Sequence, residues 1–166
     1  MTLTTTAPHQ TDGTAGVSRF TPTQLLRTAR LIAGDPDLLR RADLTATERQ
    51  WLLLDSTAHL EIWLLTWPAG ADTGWHDHGG SAGAFLAVHG RLVESTWTRH
   101  HPHERVLTVG DGRSFGSHHV HDVANRGPGA AVSVHVYSPR LRTMNRFARR
   151  GDGLVHTATE RAGTDW

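Results

Sequence analysis

Apolar residues recur along this chain at two periods, helical in the first third and strand-like from about residue 60 onward. Residues 1–19 follow neither period and consist of Thr, Gly, Ala and polar residues, which predicts a disordered N-terminal arm. Thr21-Pro22 then offers an N-cap with Pro in the first turn. Leu25, Leu26, Ala29, Ile32 and Ala33 follow at helical spacing until Gly34-Asp35-Pro36 stops the run. A second helical stretch is predicted over residues 37–42, and a third from about Thr45, carrying Glu48 and Arg49. Residues 59–67 are strand-like, and Pro68-Ala69-Gly70 ends them. Short strands are predicted at 84–89, 91–98, 105–109, 119–124 and 131–138, between glycine-rich turns. Many short strands at close spacing predict a mainly-β sandwich or barrel with short N-terminal helices. Beyond Pro139 the chain is Arg-rich, which reads as solvated surface, and residues 151–166 read as a flexible tail. A single domain is therefore expected over residues 20–150.

Composition narrows the function. The chain has 166 residues and a formal charge of +1, with no basic field to attract nucleic acid or an anionic membrane. It has no cysteine, which excludes disulfides, thiolate metal ligands and a cysteine nucleophile. No apolar run approaches the roughly 18 residues of a spanning helix, and the polar start lacks the apolar stretch of a secretory signal. A soluble, cytoplasmic monomer is the expectation. The anomaly is histidine: 13 in all, ten of them between His76 and His135.

Two imidazoles in Trp75-His76-Asp77-His78 stand at i and i+2, which on a strand puts them on one face, about 7 Å apart at the backbone. That suits two ligands of one metal, and His121 leads as the third. Asp77 and Asp122 alternate away from the histidines and are expected to face outward. His100, His101 and His103 surround Pro102 in what reads as a polar turn, and His118 and His119 read as bland neighbours of His121. The spacing Gly70, His76-x-His78, Gly83, Gly90 matches the first cupin motif, except that Gly83 stands where most cupins carry a glutamate ligand. Gly110, Gly116-x-His118-x-x-His121-x-x-x-Asn125 matches the second, with Gly116 and His118 replacing the usual Pro and Gly. Three neutral ligands, His76, His78 and His121, would leave open positions for Fe(II) chemistry. On the last predicted strand Val132, Val134 and Val136 alternate with Ser133, His135 and Tyr137. That polar row either faces water from an edge strand or lines the interior of a barrel that houses a site.

Taken together, His76-Asp-His-Gly-Gly-Ser-Ala-Gly-Ala-Phe85, His121-Asp-Val-Ala-Asn125 and Ser133-Val-His-Val-Tyr-Ser-Pro139 resemble the cupin-fold thiol dioxygenases, most closely bacterial cysteine dioxygenase. The resemblance spans about residues 22–147. It implies a cupin β-barrel, Fe(II) on His76, His78 and His121, and a hydrogen-bonded row of Ser133, His135 and Tyr137 beside substrate. It also implies a cis bond before Pro139 and oxidation of L-cysteine by O2 to cysteine sulfinate. In animal members the Gly83 slot holds a cysteine cross-linked to the tyrosine; Gly83 implies an unmodified Tyr137. The carboxylate-binding slot falls at Arg49 or Gln50, depending on a one-residue gap near Asp55. Arginine there goes with cysteine and glutamine with 3-mercaptopropionate; Arg49 offers the stronger, bidentate clamp. The rival readings are a 3-mercaptopropionate or other small-thiol dioxygenase, and a non-enzymatic metal-binding cupin sensor.

Overall fold

The computed structural model describes residues 20–98 and 101–165. The expected arm at 1–19 and His100 lie outside the described residues. The elements run α1 (Pro22–Ala33), a 3₁₀ turn (Leu38–Arg41), β1 (Gln50–Ser56), β2 (Glu61–Trp67), β3 (Ala82–His89), β4 (Arg91–Thr98) and β5 (His101–Thr108). They continue as β6 (Gly112–Phe115), β7 (His121–Ala124), β8 (Ala131–Ser138), β9 (Thr143–Arg150) and β10 (Gly153–Arg161). A five-stranded sheet has the order β1-β2-β8-β3-β6, a three-stranded sheet the order β5-β4-β7, and β9 and β10 form a hairpin. Among the described residues no helix is long and apolar enough to cross a membrane.

Helix α1 starts as its sequence predicts. Thr21 Oγ1 accepts from Gln24 N–H, the Gln24 side chain accepts from Thr21 N–H, and Pro22 fills the first turn. Its apolar face, led by the fully buried Leu25 and Ala29, packs on Ile62, Leu64, Ala84, Leu86, Val132, Val134 and Val136. A second cluster, built on Trp67, Phe85, Leu92, Leu107, Phe115, Val123 and Tyr137, lies on the opposite side of the five-stranded sheet. Strand β8 is thus central, between β2 and β3, and every one of its residues is buried. The valine face meets α1, so the Ser133-His135-Tyr137 face is turned to the interior rather than to water. The bond between Ser138 and Pro139 is cis.

Three expectations are corrected. No helix begins near Thr45: the Asp43 carboxylate accepts from both the backbone N–H and the hydroxyl of Thr45, closing a turn. The chain then enters β1, which pairs with β2 from Gln50 opposite Thr66, with an irregularity between Leu53 and Asp55. His101 and His103 are not in a turn but on β5, an edge strand, where Pro102 is tolerated because one side of the ladder is unpaired. Residues 153–161, expected to fray, instead form β10. Its pairing with β9 is reinforced by Arg146 Nη2 to Glu160 Oε2 at 2.6 Å and Thr159 Oγ1 to Asn145 Oδ1 at 2.6 Å. The Arg-rich run is in part this hairpin.

Candidate metal centre

His76 and His121 exchange backbone hydrogen bonds, N–H of each to C=O of the other at 2.9 and 3.0 Å, in an isolated antiparallel bridge. His76 bridges Arg146 of β9 on its other side, so the first ligand is gripped by two strands. His78 follows in a turn rather than on a strand. Gly79 there has φ +56°, and a Cβ would lie 2.5 Å from the Thr143 carbonyl oxygen. Only glycine fits immediately after His78. The three rings cluster with centroids 4.7 to 5.1 Å apart, and one nitrogen of each lies within 4.8 Å of the others.

Their hydrogen bonds fix which nitrogen is free. His76 Nδ1 lies 2.9 Å from the Gly74 carbonyl, which can only accept, so Nδ1 carries the proton and Nε2 the lone pair. His121 Nδ1 lies 2.9 Å from Glu94 Oε1, with the same consequence. His78 Nε2 is buried with no hydrogen-bond partner. Burial pushes all three imidazoles toward the neutral form, and mutual repulsion adds to this at His76 and His78. Three convergent neutral imidazoles, one with an orphaned nitrogen, fit a divalent transition metal. Asp77 and Asp122 stay out of this cluster, taken up by Asn145 and Thr73.

Beside the histidines runs a chain of hydrogen bonds on the inner face of β8. Trp67 Nε1–H donates to Ser133 Oγ at 2.8 Å, Ser133 Oγ lies 2.8 Å from His135 Nε2, and His135 Nδ1 lies 3.0 Å from Tyr137 Oη. Indole can only donate, so the Ser133 hydroxyl proton is left for His135 Nε2. His135 then carries its proton on Nδ1 and donates it to Tyr137, whose own hydroxyl proton is free for the cavity that Tyr137 lines. Burial, with the charges of His121 and Arg49, pushes the His135 imidazole down to about 3, so it stays neutral. Burial raises the Tyr137 phenol despite Arg49 nearby, so it keeps its proton. His135 stacks on Phe85, with centroids 5.2 Å apart.

A cavity of about 680 Å³ opens from His76, His121, His135 and Tyr137 and includes Arg49. Arg49 is half-buried immediately before β1. Its Nη1 donates to Asp72 C=O at 2.6 Å, and its guanidinium lies over Trp51 and Trp67 at 4.7 and 5.4 Å from the ring centroids. Its Nε is buried without a partner. Desolvation, and then Arg146, destabilise its charge. Gln50 is exposed, absent from this cavity, and borders a shallow surface recess instead. Gly83, opposite Tyr137 in the β3–β8 register, has no room for a side chain: a Cβ would meet Phe115 at 2.5 Å and Tyr137 at 2.9 Å.

Sequence reasoning missed Trp67 and a cluster on β4. Glu94, 1% exposed, accepts from Arg113 Nε at 2.6 Å and lies 3.0 Å from His119 Nε2 as well as 2.9 Å from His121 Nδ1. Burial works to raise its carboxyl, but bonds from His119, His121 and Arg113 outweigh this and hold it well below the usual range. The available signal was Glu94 standing two residues from the core residue Leu92, on the same side of the strand.

Fold and site together define a cupin-like protein with a cluster of three histidines that could hold a metal. Among solved structures, the chain is similar to a cupin superfamily protein from Desulfitobacterium hafniense, with 15% identity, 61% of this chain and 86% of that one covered, and TM-score 0.53. A Klebsiella pneumoniae protein with a double-stranded β-helix domain matches at 15% identity, 72% and 92% coverage, and TM-score 0.53. A protein from Thermus thermophilus matches at 22% identity, 63% and 95% coverage, and TM-score 0.56. The family model for cysteine dioxygenase type I matches residues 34–150, a stretch that holds every site residue above. The chain belongs to the cysteine dioxygenase type I family.

Proposed function

We propose that the chain is an Fe(II)-dependent thiol dioxygenase that converts L-cysteine and O2 to cysteine sulfinate. The reaction balances without an added reductant, R–SH + O2 giving R–SO2H, with both oxygen atoms ending on sulfur. Iron held by His76, His78 and His121 would supply the redox chemistry that joins O2 to the thiol. Arg49 clamps the substrate carboxylate with charge-assisted hydrogen bonds and fixes the distance from carboxylate to thiol. Tyr137 donates its hydroxyl proton to the substrate or to oxygen, and His135, set by Ser133, aims that hydroxyl. Phe85 and Trp67 keep the row dry, which strengthens each of these bonds.

The observation that carries this reading is Arg49 with a buried, unpartnered Nε in the cavity that also holds two of the metal-site histidines and Tyr137. Desolvation leaves the Arg49 charge undercompensated, and an anionic substrate group in this cavity would offset that cost. The exposed Gln50 favours cysteine over 3-mercaptopropionate as the substrate. The test is oxygen uptake by iron-loaded protein offered L-cysteine, 3-mercaptopropionate, cysteamine and homocysteine in turn. L-Cysteine is expected to turn over best, with sulfinate as product. Faster turnover of 3-mercaptopropionate would overturn the substrate assignment, and indifference to all four thiols would favour a sensor.

A further inference from the structure

The motif that supplies most cupins with a carboxylate ligand ends here in Gly83, and packing against Phe115 and Tyr137 leaves no space to restore one. A carboxylate is nevertheless present one imidazole away. Glu94 on β4 faces His121 on β7, and the two strands pair with Glu94 opposite Val123 and Thr96 opposite His121. Among the described residues, Glu94 is the one carboxylate hydrogen-bonded to a ligand imidazole; the partner of His76 is a neutral carbonyl. Its carboxylate is held from three directions, by Arg113, His119 and His121, in a setting where it is 1% exposed. His119 is itself braced, stacked on Phe115 with centroids 4.8 Å apart. Glu94, His119 and His121 could be taken for a second metal site. The hydrogen bond between His121 Nδ1 and Glu94 Oε1 argues against it, because Nδ1 carries the proton when Nε2 serves the first centre, and Arg113 Nε on Oε2 at 2.6 Å already balances the carboxylate's charge.

We infer that Glu94 is a positioning residue for the metal, fixing the tautomer and ring orientation of His121 and raising the donor strength of its Nε2. A charged acceptor on Nδ1–H polarises the imidazole more than a carbonyl does, so electron density moves to the ligand nitrogen. A carboxylate thus acts on the metal indirectly, through His121, while the metal keeps three neutral ligands and its open positions. The inference rests on the three-histidine centre but not on the identity of the thiol.

The test is Co(II) binding to the full chain, titrated against a competing chelator and followed through the visible ligand-field bands. Wild type is compared with Glu94→Gln, Glu94→Ala and Glu94→Asp. Loss of an outer partner of this kind costs roughly ten- to a hundredfold in metal affinity. Glu94→Gln keeps an acceptor but no charge, and is expected to weaken Co(II) binding about tenfold and to shift the bands. Glu94→Ala is expected to lose more, and Glu94→Asp to recover part of the loss. If Glu94→Ala does not fold, Glu94→Gln decides, because it preserves the volume. Wild-type affinity and an unchanged spectrum in Glu94→Gln would overturn the inference while leaving the metal centre standing. Failure of wild type to bind Co(II) would overturn both. Co(II) binding that is tight in wild type and weakened in Glu94→Gln, in a protein inactive on every thiol, would overturn the proposed function alone and support the role of Glu94.

Discussion

Arg49 and Gln50 are neighbours in sequence with opposite fates. Residue 49 turns into the cavity, over the Trp51 and Trp67 rings, and residue 50 begins the β1–β2 ladder with its side chain exposed. A charged hydrogen bond contributes about 1.5–3 kcal/mol, so Arg49→Ala should lower kcat/KM for cysteine roughly 10- to 150-fold, mostly through KM. Gln50→Ala should change it less than about twofold. Steady-state kinetics of both variants check this, and the reverse pattern would transfer the clamp to Gln50. The sequence left the choice between them open because it turned on one residue of spacing near Asp55. The structure has an irregularity between Leu53 and Asp55. A bulge absorbs one residue through backbone geometry, which no side-chain pattern announces.

At the scale of elements, strand β8 was readable because its alternation is strict, but which of its two faces looked inward was not. That depends on α1 covering Val132, Val134 and Val136, a contact between segments a hundred residues apart. Strand β1 was not predicted for a related reason: Trp51 to Leu54 is a continuous apolar run, compatible with either period. Strand β10 was missed because its outward residues are polar and its pairing with β9 rests on cross-strand partners such as Arg146 and Glu160. Glu94 was passed over because, despite sharing a strand face with Leu92, a buried carboxylate looks like a solvated one until its three partners converge. Strand β3 carries a prediction of its own. At Gly83 a methyl group would press on the Phe115 and Tyr137 rings. Gly83→Ala should therefore destabilise the fold by about 1–3 kcal/mol, measured by urea unfolding. Unchanged stability would mean that the rings have slack.

For the whole molecule, the buried histidines couple folding to pH. His135 in the folded protein is pushed down to about 3, below the roughly 6.5 of an exposed imidazole. Between those values the unfolded chain binds the extra proton, so stability falls as pH drops through this window and is fully present above it. The His76, His78 and His121 imidazoles are lowered too, and add in the same direction. Metal-free protein moved from about pH 7 to about pH 5.5 should lose at least about 1 kcal/mol from His135 alone. Urea unfolding at the two values checks the sign, and equal or greater stability at the lower pH would contradict a neutral, buried His135.

The proposed reaction delivers both atoms of dioxygen to the sulfur of cysteine. Turnover of iron-loaded protein with L-cysteine under ¹⁸O₂, followed by mass spectrometry of the product, tests it directly. Cysteine sulfinate carrying two labelled oxygens is the expected product. Sulfinate with one label or none, or disulfide as the sole product, would contradict it.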